Sequence, residues 1–524
     1  MNLKNFLNIS TPSIGKASLI LAISVLFSHF LGLFRDRLLA QSFGASQSLD
    51  IYFAAFRIPD LVYNILFAGS IIVSFLPIFS EYYKKNKEES WEMVNYVLNG
   101  FLIFFLILVF ILFIFTPALI NLMVPGFSPE AKKMCVLLTR IMFLSPLFLG
   151  ISSLFSSILH YFGKFLAYSF APVFYNLGII FGILVLAPKY GILGVAIGVV
   201  LGAFLHLLIQ IPAAKNCGFK YLPRFNLKYP AIFELFKLAV FRTIAAASSQ
   251  INFIVITFFA SLIGEGAVSV FNFSNNLRYF PVGIIGVSVA SAVFPLLSKN
   301  IEQGQKDKFL KTFTENFCFI LFLSLPVSAL FFIFRKEIVK IIFWTGAFGV
   351  QDVELTSMAL GAFSISIFAQ CLVPLILRGF FSLKDTKTPT FVALALTILN
   401  IILCYSFVNF VFPSSKIFGL TLAFSIGLLL EFFILFFLFY KKVGDFGIKQ
   451  IFKSTGKILL AAILTTFFAL FLKTIFISEG ANVLSTFLNF LLIIILVVIF
   501  YLFLSFILKI KELEFLKPHG KIRN

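Results

Sequence analysis

Apolar residues run along this chain in stretches of about 20 or more, the length a helix needs to cross the hydrocarbon of a bilayer. Windows of that size predict about fourteen helical spans. They lie near residues 16–41, 50–82, 93–124, 131–162, 165–187, 191–214, 230–263, 267–299, 308–343, 351–382, 388–411, 415–440, 453–476 and 483–508. Polar residues break the pattern most sharply from Ser28 onward, in SHFLGLFRD and then FGASQSLDIYFAAFRIPDLVYN. Hydrocarbon tolerates such groups only where they face one another or a water-filled cavity. An intramembrane charge is therefore a functional hypothesis by default.

Composition supports a membrane. Hydrophobic residues are 60% and charged residues 12% of the 524, and mean hydropathy is +1.04. Soluble domains are about 45–50% apolar and about 25% charged. The net charge of +20 would suggest nucleic acid in a soluble protein, but the Lys and Arg sit in short loops and no reader motif accompanies them. No nucleic-acid partner is expected. Cys135, Cys217, Cys318, Cys371 and Cys404 show no paired spacing, and His29, His160, His206 and His519 form no ligand cluster, so no metal or other cofactor is expected. The sequence lacks a phosphate loop, an HExxH and a nucleophile elbow, which argues against catalysis and ATP hydrolysis. The first apolar run outlasts a signal-peptide core and leads into Arg35, Asp36 and Arg37, so it reads as a span.

Loop charge sets orientation. Basic residues gather after even-numbered spans, as at Lys84, Lys85 and Lys87, and at both ends, from Lys4 and Lys16 to Lys517, Lys521 and Arg523. Both termini are expected on the cytoplasmic side. Arg335, Lys336 and Lys340 depart from this pattern.

The chain also echoes itself. SFLPIFSEY recurs as AVFPLLSKN, with Pro77 and Pro295 218 residues apart; Gly126 and Gly346 are 220 apart, and Tyr161 and Phe380 219. Six spans fill that interval, an even number, so the second copy enters the membrane in the same direction. The predicted fold is an all-α integral membrane protein: two parallel six-helix lobes around a central cavity (1–228 and 229–445), then two additional helices in 446–524. In transporters with such repeats the substrate site lies between the lobes.

Arg57 and Asp60 are three residues apart and share a helix face, roughly 10–15 Å below the start of their span. They form either a self-neutralising ion pair or part of a cavity wall. The offset of 218 sets Asp60 against Arg278 and Arg57 against Asn275. This suggests the hypothesis that Asp60 and Arg278 meet in one access state and separate in the other. Arg35, Asp36 and Asp50 lie nearer the outer interface, and depth alone leaves snorkelling and a cavity role equally open. His29, beside Ser28, fits a packing role more often than a proton switch. Arg140, Lys237, Arg242 and Glu431 read as structural.

These segments, with FLPIFSEY and GFFSLKDTKTP, resemble the MurJ (MviN) family of lipid II flippases, within the superfamily of polysaccharide and multidrug exporters. The resemblance implies a translocase for a polyprenyl-diphosphate lipid in the bacterial inner membrane, working by alternating access as a monomer. Its cationic cavity would take the head group, while a groove involving the last two helices would hold the lipid tail. Membrane potential or an ion gradient would drive it. By position Arg35 and Asp36 match the family's Arg-Asp pair, Asp50 its acidic residue opening the second span, and Arg57 a basic position there. The departures are Ser28-His29 for Ser-Arg, Tyr63 and Asn64 for paired arginines, Ala68 for an acid, and Asn276 for an arginine, with Arg278 two residues on. The substrate-binding set is therefore Ser28, His29, Arg35, Asp36, Asp50, Arg57, Asp60, Asn276 and Arg278. Rival readings are an exporter of another polyprenyl-diphosphate oligosaccharide, a cation-coupled drug antiporter, a membrane-embedded glycosyl- or acyltransferase, and a scaffold.

Overall fold

A computed structural model describes residues 14–66, 72–226, 228–477 and 482–516. Within these, side chains at 14–22, 72–74, 236–246 and 248 are left undescribed, which sets Lys16, Lys237 and Arg242 aside. Lys4, Ala68, Lys517, His519, Lys521 and Arg523 also lie outside the described residues.

The main helices of the first compact unit (Met1–Ser269) are α1 (Ile14–Phe43), α2 (Gln47–Tyr63), α3 (Ile72–Lys85), α4 (Lys87–Met123), α5 (Pro129–Met142), α6 (Leu144–Tyr161), α7 (Phe165–Phe181), α8 (Ile192–Leu208) and α9 (Pro230–Ile263). Helix α10 (Ala267–Pro281) leads into the second unit (Val270–Asn524). There follow α11 (Ser288–Glu302), α12 (Lys306–Ile333), α13 (Arg335–Phe343), α14 (Val350–Ser364), α15 (Ile367–Ser382), α16 (Lys387–Ser406), α17 (Lys416–Val443), α18 (Ile448–Phe476) and α19 (Val483–Ile507).

Among the described residues ten helices are long and apolar enough to cross a membrane, or eleven if α14 and α15, bent by 48°, form one broken span. The remaining expected spans fall on α1, on α2 with α3, and on α9. Helix starts also recur: Gln47 and Ala267 are 220 apart, Lys87 and Lys306 219, Pro129 and Val350 221.

Local chemistry marks the helix ends. Asn86 accepts from the Glu88 amide at 2.9 Å to cap α4, and Ser128 accepts from Ala131 at 3.2 Å ahead of Pro129 in α5. Such caps satisfy amides that no helical carbonyl can reach. Where hydrocarbon gives helices no hydrophobic reason to associate, small residues let backbones close up. Helices α7 and α8 do this with Gly178 and Gly198: a Cβ at Gly178 would stand 2.3 Å from Gly202 Cα, and one at Gly198 2.6 Å from Gly182 Cα.

Besides the bend between α14 and α15, a second expected span is interrupted. The stretch 308–343 was expected to be continuous, but α12 ends at Ile333 and α13 is a separate short helix. Lys473 of α18 donates to the terminal Ile333 carbonyl at 2.9 Å and pairs with buried Glu337 of α13 at 2.9 Å. Arg335 donates to the Phe332 carbonyl at 2.7 Å, and the Lys340 ammonium lies 4.5 Å from the Trp344 ring. The basic exceptions to the loop-charge pattern thus belong to a capped helix break.

Candidate functional site

The first unit gathers most of the predicted ionic residues. Arg35 on α1 donates from Nε and Nη2 to Asp36 Oδ1, at 3.0 and 2.7 Å, and from Nη1 to Asn176 Oδ1 on α7 at 3.2 Å. Asn176 Nδ2 turns back to the Ser28 carbonyl and hydroxyl, both at 3.4 Å. The close packing of α7 on α8 fixes the helix that carries this amide. Asp36 is buried, whereas the Arg35 side chain keeps 21% of its surface accessible. Of the pair, Arg35 is the more accessible residue.

On α2, Arg57 donates from Nε to Thr257 Oγ1 of α9 at 2.9 Å, with its guanidinium 5.2 Å from the Phe253 ring. Asp60 lies within electrostatic reach of both Arg57 and Arg35. Tyr52 and Tyr175 stand in the field of Arg35 as well. Tyr63 shares a hydrogen bond with Ser153 at 3.3 Å. Arg35, Asp36, Arg57 and Asp60 form one cluster of two cations and two anions on α1 and α2. His29 is half-buried, and its Nδ1 has no hydrogen-bond partner among the described residues.

Asp50, expected to contact substrate, is turned toward the start of α10 in this structure. Fully buried, its carboxylate accepts from the Gly266 amide (2.7 Å), the Ser269 amide (2.7 Å) and the Ser269 hydroxyl (2.5 Å). A carboxylate opposite a helix N-terminus satisfies orphan amides and meets the positive end of the dipole. Asp50 is a cap for α10, supplied by α2, and all its acceptor capacity faces protein.

Arg278 is likewise enclosed. It is 4% exposed and lies between the rings of Phe363 and Phe424, at 4.7 and 4.8 Å. Nη1 donates to Gln370 Oε1 at 2.7 Å, and Nε and Nη2 donate to Asn275 Oδ1 at 3.0 and 2.6 Å. The guanidinium is held by rings and amides of its own unit, which leaves it no phosphate-facing edge here. The expected match to Asp60 depends on register: counted from the starts of α2 and α10, Asp60 falls on Phe280, two residues past Arg278. Asn276 is half-buried nearby.

The GFFSLKDTKTP segment forms the turn between α15 and α16. Asp385 accepts from the Thr388 amide (3.0 Å) and hydroxyl (2.7 Å) and pairs with Lys442. Burial pushes its carboxyl up, but Lys442 and Thr388 outweigh that and hold it below its ordinary value near 3.8.

Sequence reading missed Asn176, Thr257, Gln370 and Ser269. Asn176 and Gln370 were visible as lone amides in apolar runs; Thr257 and Ser269 carried no distinguishing signal.

The family model for "Lipid II flippase MurJ" matches residues 39–497. The chain belongs to the MurJ family. Among relatives in this family, the probable lipid II flippase MurJ of Buchnera aphidicola subsp. Schizaphis graminum is 31% identical over 463 residues, covering 87% of this chain and 89% of the relative. The lipid II flippase MurJ of Burkholderia cenocepacia is 27% identical over 420 residues, covering 78% and 81%. A solved MurJ structure in an inward closed conformation superposes with a TM-score of 0.79 at 28% identity, over 94% of this chain and 100% of that one. A multidrug transporter of the MATE family shares the fold alone, at TM-score 0.68 and 14% identity over 82% and 98%. MurJ-family membership makes this a multi-pass membrane transporter of a bacterial flippase family.

Proposed function

We propose that this chain translocates lipid II across the bacterial inner membrane, from the cytoplasmic to the outer leaflet, by alternating access with both termini cytoplasmic. The observation that carries the reading is the balanced cluster of Arg35, Asp36, Arg57 and Asp60 on α1 and α2, which fall on expected spans. A guanidinium stays charged when desolvated and offers paired donors to phosphate oxygens. In this cluster Asp36 pairs with Arg35 and Asp60 stands in the field of both arginines, until an anionic diphosphate competes for them. The two unused positive charges that would otherwise be stranded in hydrocarbon are thereby avoided in the empty state. The head group follows this polar path while its polyprenyl tail stays in lipid, and the protein works as a monomer without a bound cofactor. Asp50 and Arg278 serve as supports: one caps α10 and the other braces the second unit.

Depletion in cells tests the assignment. Lipid II is expected to accumulate on the cytoplasmic leaflet; accumulation of a different polyprenyl-diphosphate oligosaccharide, with lipid II unaffected, would replace the substrate.

A further inference from the structure

We infer that the first unit carries a seat for an anionic phospholipid on its membrane-facing surface, between α4 and α5. The feature that creates it is a proline. Pro117 has no N–H, so the carbonyl of Phe113, four residues earlier, loses its helical donor. Hydrocarbon offers no water to replace it. Arg140 of α5 does: its Nε and Nη2 both donate to the Phe113 carbonyl, at 3.2 and 3.0 Å, with the guanidinium 4.3 Å from the Phe113 ring. An uncharged carbonyl thus holds a cation, and among the described residues no carboxylate forms an ion pair with it.

Pro117 and Arg140 line an open groove of about 570 Å³. Asn121, Lys132, Lys133 and Leu137 line it too. Lys133 and Arg140 are seven residues apart on α5, roughly 10 Å along the helix axis. Lys132 reaches the Pro125 carbonyl at 3.1 Å, while Lys133 is exposed. Leu122, Leu137 and Phe113 flank the groove with exposed apolar surface suited to acyl chains. On the loop-charge reading this hairpin is on the outer side, where topology gives no reason for three basic residues.

Basic pockets between membrane helices recognise anionic head groups. The arrangement matches one phospholipid: phosphate between Lys132, Lys133 and the Asn121 amide, ester carbonyls toward Arg140 Nη1, and chains over Leu137 and Phe113. The occupant is a bilayer phospholipid, because the groove's apolar flanks face the hydrocarbon in which that lipid is abundant.

The test uses full-length protein in nanodiscs of phosphatidylcholine mixed with phosphatidylglycerol, with retained lipids counted by native mass spectrometry. Phosphatidylglycerol is expected to be enriched on the wild type, and Lys133→Gln to reduce that preference by about fivefold. Lys416→Gln, at an exposed lysine of the second unit, should leave it unchanged. Arg140→Gln alone strands the Phe113 carbonyl and risks misfolding, so the double variant Pro117→Ala with Arg140→Gln restores the N–H and isolates the loss of charge; it should fold and lose the preference. No enrichment on the wild type, or equal enrichment on the wild type and Lys133→Gln, overturns the proposal. So does displacement of phosphatidylglycerol by equimolar undecaprenyl diphosphate, which assigns the groove to a polyprenyl lipid.

Discussion

At the scale of single residues, Arg35 and Asp50 are both ionic, but Asp50 is fully buried while the Arg35 side chain is partly accessible. Arg35→Ala is expected to abolish rescue of a flippase-depleted strain while the protein still inserts in the membrane, because Asp36 loses its partner and the head group loses its phosphate contact. Arg35→Lys should rescue weakly, since an ammonium keeps the charge and forfeits the bidentate geometry. Asp50 should answer to a different measurement. Asp50→Asn keeps one acceptor but removes the charge facing the α10 terminus, and a charge-assisted hydrogen bond is worth about 1.5–3 kcal/mol. The thermal midpoint in detergent should fall for Asn and fall further for Ala, with Asn retaining partial rescue. At Asp385 the expected variable is pH. Its carboxyl is held below its ordinary value in the folded protein, so its contribution is present at neutral pH and is lost as pH falls through the folded value. Unfolding scans should show wild-type stability dropping below about pH 4, and Asp385→Asn should be less stable at neutral pH with a flatter profile in that acid range.

At the scale of helices, two devices hold the first unit in register: glycine contact between α7 and α8, and replacement of a missing backbone donor between α4 and α5. Gly198→Leu should prevent α7 and α8 from approaching, displace Asn176 from Arg35, and lower both folded yield and rescue. The second device predicts non-additivity. Arg140→Gln should cost more alone than in a Pro117→Ala background, where the Phe113 carbonyl regains its own helical donor; a double-mutant cycle on thermal stability should give a coupling of about 0.5–3 kcal/mol. Helices of this kind were legible in the sequence because apolar length and the 220-residue echo are properties of the chain itself. The break at Phe334 was legible only as the charged run Arg335-Lys336-Glu337, since the cap comes from Lys473 on a distant helix. The site was legible only in part. Charge at depth singled out Arg57 and Asp60, and the family resemblance singled out Arg35 and Asp36, but depth does not specify rotation about the helix axis. Rotation is what turns Asp50 onto an amide terminus and Arg278 between two phenyl rings. The distant partners Thr257 and Ser269 become visible only once the helices are packed.

At the scale of the whole molecule, the driving force follows from the balance of the cluster. Two guanidiniums and two carboxylates sum to zero, so a carrier loaded with an anionic diphosphate carries across the membrane only the charge of its cargo. Outward movement of each negative charge against a cytoplasm-negative potential is favourable by about 2.3 kcal/mol per 100 mV. A single such charge at that potential changes an equilibrium about fiftyfold by the same energy. Voltage alone is therefore expected to bias transport toward the outer leaflet. Among the described residues no group of three His, Cys, Asp or Glu is placed to hold a metal ion, but a proton or sodium gradient remains the competing source of drive. Vesicles with imposed potassium diffusion potentials separate the two. Flipping from the inner leaflet should accelerate with the lumen negative, slow when the potential is collapsed, and reverse its bias when the sign is inverted. Exchange of sodium for choline, or removal of the proton gradient at fixed voltage, should leave the rate unchanged. Indifference to voltage together with dependence on either gradient would move the driving force from the cargo's charge to an ion bound by the carrier.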